Sequence, residues 1–247
     1  MNINTLFDDI SLIVSRDVMV GDHMYNEKNP DHYFRVGHSA ITSITAALML
    51  AGRPAPYRIL DFACGSGRVT RWLKAIFPGS NIICSDLRQD SLTFLKNSFD
   101  VEIVLSNPFF SDISFDEPFD LIWCGSLITH LPQKQTQIFL ECCASWLSHD
   151  GIAVVTFCGR EVKRRMALSE QKYLLAKDAE KIISELEITK YGYVNYLGKD
   201  NIGFSICHPE WMLNEMIRLK NSVVILSEAA WDNHQDVLAF RREKSSI

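Results

Sequence analysis

Apolar and polar positions alternate in blocks along most of this chain. Five short apolar runs, YRILDF (57–62), NIICSD (81–86), VEIVLS (101–106), FDLIWCG (119–125) and IAVVTFC (152–158), each stop at a polar or glycine-containing segment. Between them, RVTRWLKAIF (68–77), QDSLTFLKNSF (89–99) and a stretch near Gln133–Leu147 repeat their apolar residues at helical spacing. Continuous apolar strands separated by helices predict a parallel sheet covered on both faces.

The flanks read differently. Residues 1–20 place Ile3, Leu6, Phe7, Ile10, Ile13 and Val14 at helical spacing, which predicts an amphipathic helix. DHMYNEKNPDHYF (22–34) is polar, with a proline and several histidines and tyrosines, and predicts an ordered loop. GHSAITSITAALMLAG (37–52) predicts a helix stopped by Gly52, with Pro54 and Pro56 beyond it. Asp150-Gly151 predicts a turn into the fifth strand, and segments of mixed helical character fill 160–220. Two final runs, SVVILSEAAW (222–231) and DVLAFRRE (236–243), are joined only by DNHQ, a connection that permits antiparallel neighbours alone. The expectation is one α/β domain over 37–247, a Rossmann-like, seven-stranded, mostly parallel sheet with an antiparallel last strand and helices on both faces. Residues 1–36 form an N-terminal helix and approach or lid segment, and 160–208 an insertion over the substrate site.

Composition narrows the class. With 247 residues and 47% hydrophobic content, the chain can bury roughly 70% of its unfolded surface in one large domain. Its net charge of −5 gives no general attraction to nucleic acid or anionic lipid. The N-terminus carries acids where a signal peptide needs a basic region, and AALMLA (46–51) is far too short to span a bilayer. Seven cysteines without C-x-x-C spacing indicate neither a disulfide framework nor a zinc ribbon. The expected location is cytoplasmic.

The informative chemistry lies in LDFACGSGR (60–68). Asp61 falls at the end of the first strand, and Gly65 and Gly67 follow in a turn where a backbone can pass close to a ligand. Asp86 ends the next strand, where a carboxylate can accept both hydroxyls of a ribose. A dinucleotide would call for G-x-G-x-x-G with pyrophosphate on the helix N-terminus, but the third position here is Thr70. Asp61 is awkward beside a pyrophosphate and suits a ligand bearing a positive amine.

These residues resemble the first and second motifs of class I S-adenosylmethionine-dependent methyltransferases. FDLIWCGSLITHLP (119–132) is similar to that family's fourth-strand motif, and the last strand to its seventh. The resemblance covers 37–158 in sequence and 221–243 in topology. It extends to bacterial members with a tyrosine-rich approach segment and a W-D-N-H-Q-D-V-L-A-F ending. It implies S-adenosyl-L-methionine as cofactor. Asp61, Ala63, Gly65 and Gly67 would then surround the methionine part, Asp86 and Leu87 the ribose and adenine, Ser106 and Asn107 the adenine edge, and Cys124 and Gly125 the pocket after strand four. Tyr33, with Phe34, would offer an aromatic face to the sulfonium or form a lid. Asn107 departs from the acid that many members carry there.

Other features carry bland readings beside sharp ones. SNPFF (106–110) resembles the N-P-P-[YF] motif of amino-group methyltransferases, but follows the third strand and lacks the second proline. Cys64, Cys84, Cys124 and Cys158 fall near strand ends, where small buried hydrophobes are the simpler account than a metal site. KRR (163–165) is either a solvated helix face or a greeting for an anionic substrate group. His130 follows strand four and His234 lies in the final connection, so both belong to the rim where the methyl group should point. His38, at a helix start, is a third candidate. The expected function is methyl transfer by in-line displacement to a small or medium-sized metabolite, at oxygen in preference to nitrogen or carbon. Catalysis is assigned to His130 and His234, with no metal, no nucleic acid and no membrane partner. A catalytically silent cofactor-binding regulator or scaffold and a nicotinamide oxidoreductase are the rivals.

Overall fold

The computed structural model describes residues 13–170 and 174–243. Most of the helix expected over residues 1–20 lies outside the described residues; from residue 14 to residue 29 the chain consists of turns and irregular segments. The first long helix, α1 (Pro30–Leu50), starts earlier than its expected Gly37. Pro30 occupies the first turn, where its missing N–H removes no helical hydrogen bond. The histidine- and tyrosine-rich segment is therefore partly helical, and Tyr33, Phe34, Ala40, Ile41, Ile44, Ala47 and Leu48 line one buried face at three- and four-residue spacing.

The alternating pattern then forms as read. β1 (Arg58–Phe62) leads to α2 (Thr70–Ile76), β2 (Asn81–Asp86) to α3 (Gln89–Phe99), and β3 (Glu102–Leu105) through a loop to β4 (Phe119–Cys124). Helix α4 (Gln133–Trp146) precedes β5 (Leu147–Phe157), then α5 (Arg160–Ala167) and α6 (Ala176–Thr189). A separate antiparallel hairpin follows, β6 (Tyr191–Asn195) with β7 (Gly203–Cys207). Helix α7 (Pro209–Arg218), β8 (Asn221–Trp231) and β9 (Gln235–Arg242) complete the described chain.

The main sheet has the order β3-β2-β1-β4-β5-β9-β8. Strands β1 to β5 pair in parallel, and β9 runs antiparallel between β5 and β8. Side-chain alternation divides the interior into two layers. Ile59, Leu121, Trp123 and Val154 pack beneath α1, α2 and α3, while Leu60, Ile122, Cys124 and Val155 pack beneath α4 and α7. Each fully buried aliphatic chain stabilises the fold by roughly 1.5–3 kcal/mol, which is why these runs are apolar on both faces. A third, smaller core joins α5 and α6 to the β6–β7 hairpin through Val162, Ile182, Leu186, Phe204 and Ile206.

Two local readings change. Asp150-Gly151 is not a turn before β5 but lies within it: pairing with β4 jumps from Phe119–Leu147 to Leu121–Ile152, and the intervening residues bulge. The final connection has three residues, 232–234, in which Asp232 and Asn233 both have φ of 53° and the His234 N–H donates to the Trp231 carbonyl over 3.0 Å. Because β8 runs parallel to β5, this turn sits on the carboxyl edge of the sheet. It is pinned to α1, since Trp231 Nε1 donates to the Val36 carbonyl (2.9 Å) and Asp232 N–H to Ser39 Oγ (2.8 Å).

Candidate active site

Two cavities open along the carboxyl edge, and His130 borders both. The first, about 500 Å³, lies over the ends of β1, β2 and β3 and is lined by Phe62, Ala63, Asp86, Leu87, Ser106, Asn107, Phe109 and the 200–202 segment of the β6–β7 connection. The second, about 550 Å³, lies over β4, β5 and the β8–β9 turn, with Arg68, Ser126, His130, Trp231 and His234 on its wall.

The loop after β1 has a left-handed backbone at Ala63 (φ 57°), Gly65 (56°) and Gly67 (80°). The two glycines differ in why they lack a side chain. A Cβ on Gly67 would lie 2.3 Å from Leu95 Cδ2 and 2.9 Å from the Phe99 ring, so α3 packs against it. A Cβ on Gly65 would meet nothing within 4 Å. Its N–H donates to Asp86 Oδ2 (2.9 Å), while the Arg88 N–H donates to Asp86 Oδ1 (3.0 Å). Each carboxylate oxygen keeps a further lone pair toward the first cavity, which fits a ribose diol. Behind the loop, Asp61 is buried and accepts a 2.6 Å hydrogen bond from Thr70 Oγ1. Burial pushes its carboxyl up to about 7, the Thr70 hydroxyl opposing and the Asp86 charge adding to the rise.

Of the residues expected around the cofactor, Ala63, Asp86, Leu87, Ser106 and Asn107 line the first cavity together. Asp61, Gly65 and Gly67 stand beside it without bordering either cavity. Three further residues expected there also border neither cavity. Cys124 is fully buried in the lower core, because strand alternation turns it toward α4. Gly125 borders neither cavity: a Cβ there would come within 2.9 Å of the Trp123 and Trp231 rings, so tryptophan packing requires it. Tyr33 also lines neither cavity. It is 1% exposed, its hydroxyl donates to Asp22 Oδ2 (2.8 Å), and Arg71 Nη2 donates to the Tyr33 hydroxyl oxygen over 3.4 Å. Arg71 in turn clamps the entering chain by donating to the carbonyls of Ser15 (3.0 Å) and Asp17 (2.7 Å).

His130 and His234 meet on the second cavity, whereas His38 packs edge-on against Trp72. His130 Nδ1 lies 3.1 Å from the Gly203 carbonyl oxygen and 2.9 Å from Tyr196 Oη. A carbonyl oxygen only accepts, so Nδ1 carries the proton and Nε2 is left as the basic nitrogen. Burial lowers the His130 pKa below the usual histidine value, the Gly203 contact opposing, and the ring is neutral at pH 7. Burial lowers His234 in the same direction, assisted by the Arg165 charge.

Several residues on these walls carry no sequence motif. Ser126 (φ 63°) donates its N–H to Thr156 Oγ1 (2.8 Å) and accepts Gln235 Nε2 on its hydroxyl (3.0 Å), while Thr156 Oγ1 donates to Gln235 Oε1 (2.7 Å). This closed network ties β4, β5 and β9 together beneath the second cavity. Phe109 and Ile202 add apolar walls to the first. Within KRR, Lys163 and Arg164 pair outward with Glu187, Glu161 and Glu170, and Arg165 alone borders the cavity. The strand-end cysteines are buried, and burial raises the thiols of Cys64, Cys124 and Cys158.

Residues 59–151 match the family model described as a methyltransferase domain. No curated protein matches the chain in sequence. Among solved structures, similar folds include an S-adenosylmethionine-dependent methyltransferase from Clostridium acetobutylicum, with a TM-score of 0.57 and 13% identity over 83% of this chain and 91% of that one. Magnesium protoporphyrin IX methyltransferase from Synechocystis, with S-adenosylhomocysteine bound, gives 0.59 and 14% over 97% and 95%. A glycopeptide N-methyltransferase complexed with sinefungin gives 0.55 and 14% over 81% and 87%. The strand order and the loop after β1 agree with the fold of these structures, and residues 59–151 form a methyltransferase domain.

Proposed function

We propose that the protein methylates a hydroxyl group of a small or medium-sized metabolite, with the cofactor in the first cavity and the acceptor in the second. The observation that carries this reading is His130, which borders both. Asp86 would hold the ribose hydroxyls on its free lone pairs, Ser106 and Asn107 would flank the adenine, and the open side of Gly65 would admit the methionine part. Asp61, held near neutrality by burial, offers a carboxylate to the cofactor's ammonium group.

S-adenosylmethionine supplies a methyl group already activated on a sulfonium, and displacement breaks the carbon–sulfur bond with its electron pair leaving on sulfur. The protein's task is to align the acceptor oxygen and exclude water, and alignment alone can lower the barrier by several kcal/mol. His130 Nε2 would take the hydroxyl proton as the new carbon–oxygen bond forms, and His234 would orient the acceptor from the turn side. A hydroxyl retains its proton at pH 7, and a neutral imidazole can take it as the new bond forms. No described helix is long and apolar enough to cross a membrane.

The test is methyl transfer to a metabolite extract followed by mass spectrometry, first with the wild type and then with His130→Ala and His234→Ala. Loss of a general base should lower turnover on the methylated product by about 10²–10⁴-fold for His130, with S-adenosylhomocysteine affinity retained. Unchanged turnover in both variants would remove the histidines from the mechanism.

A further inference from the structure

We infer that the acceptor is a carboxylic acid with an aromatic or apolar body, and that Arg68 receives its carboxylate on the wall of the second cavity. This rests on the methyltransferase reading above.

Arg68 follows the glycine loop directly and borders the second cavity. Its guanidinium carbon lies 5.4 Å from the Trp231 ring centroid, and it makes no hydrogen bond or ion pair with a described residue. The guanidinium is half-buried and has no hydrogen-bonded anion, so its donors are available to one. Burial lowers its pKa, with the Tyr33, Asp22 and Asp232 charges opposing; it stays a cation at any working pH. Its planar fork presents two parallel donors, which matches a carboxylate.

The surrounding charges agree. Arg165 borders the same cavity, although it already donates to Glu161 and to the Asn233 carbonyl. The one acid on the wall, Asp232, faces Arg35 at 3.6 Å and His32 at 3.9 Å. The wall therefore carries two fixed cations against one anion. Val36, Phe204 and Trp231 add apolar surface to the same cavity as Arg68 and His130, which suits a ring or short chain carrying both a carboxylate and a hydroxyl.

The experiment titrates matched probes into protein saturated with S-adenosylhomocysteine: 4-hydroxyphenylacetate, 4-hydroxybenzoate and caffeate, each against its primary amide. At least one acid should bind the wild type tenfold or more tighter than its amide. Arg68→Gln should erase that preference, Arg68→Lys should keep part of it, and both should bind S-adenosylhomocysteine within twofold of wild type. The inference is overturned if no acid outbinds its amide, or if the preference survives Arg68→Gln. It is also overturned if Arg68→Gln weakens S-adenosylhomocysteine instead, which would give Arg68 to the cofactor's own carboxylate. If S-adenosylhomocysteine does not bind the wild type, the underlying reading fails rather than this one.

Discussion

The Gly65 N–H donates to the Asp86 carboxylate over 2.9 Å, tying the glycine loop to the acid of the next strand. Asp86 accepts the Arg88 N–H as well, so it shapes the loop before any ligand arrives. Asp86→Ala should weaken S-adenosylhomocysteine binding at least tenfold, since charge-assisted bonds to two hydroxyls are worth about 1.5–3 kcal/mol each. It should also lower the melting temperature of the cofactor-free protein by roughly 5 °C, because two backbone donors lose their partner. Calorimetry and a thermal melt check both; full affinity in the variant would place the ribose elsewhere.

The two loop glycines should separate cleanly. Gly67→Ala drives a Cβ into Leu95 and Phe99 and should destabilise the fold by more than about 2 kcal/mol. Gly65→Ala meets open space, so the cost should be near the 1 kcal/mol of a left-handed alanine, with the larger loss in cofactor affinity. Equal stability losses would contradict the packing seen at Gly67.

Ala63 already bears that backbone cost, with φ at 57°. Ala63→Gly should raise stability by about 1 kcal/mol, or 2–4 °C in a chain of this size. A lower melting temperature would mean the loop is not left-handed there in solution.

Asp61 predicts a pH dependence. Its folded pKa, raised to about 7, means that the native state holds a proton the unfolded chain has released, so this group lowers stability as pH rises from about 4 to 7. Asp61→Asn should accordingly gain stability relative to wild type as pH rises through that window. A cationic ammonium favours the ionised form, so wild-type affinity for S-adenosylhomocysteine should rise about tenfold between pH 5.5 and 7, with proton release. A flat profile in wild type would show that the carboxyl does not meet the amine.

How much of this was legible depends on which interactions are local. Strands β1, β2, β4 and β5 are buried on both faces, so their residue order records the fold directly. The early start of α1 was obscured by His32 and Asp31, polar residues on its exposed face, although Pro30 marks a first turn. The β6–β7 hairpin was not read at all, because Gly192 and Gly203 fit under backbone contributed by Ile182 and Val194, which no local pattern encodes. In the site, Asp86 announces itself at a strand end. Ser126 and Arg68 become legible only when β5, β9 and the Trp231 ring come up beside them. Cys124 ends its strand facing the core because parity turns it there, and Gly125 makes room for the Trp123 and Trp231 rings, neither of which local sequence encodes.

The central claim is that His130 stands where the methyl group leaves the cofactor for the acceptor. A crystal structure with S-adenosylhomocysteine bound tests it before any acceptor is known. A methyl group approached at 3–3.5 Å by an oxygen, itself within 2.6–3.2 Å of a base, puts His130 Nε2 within about 8 Å of the sulfur. A sulfur found in that range and facing the second cavity is the expected result. A sulfur more than about 10 Å from both His130 and His234 would contradict the account.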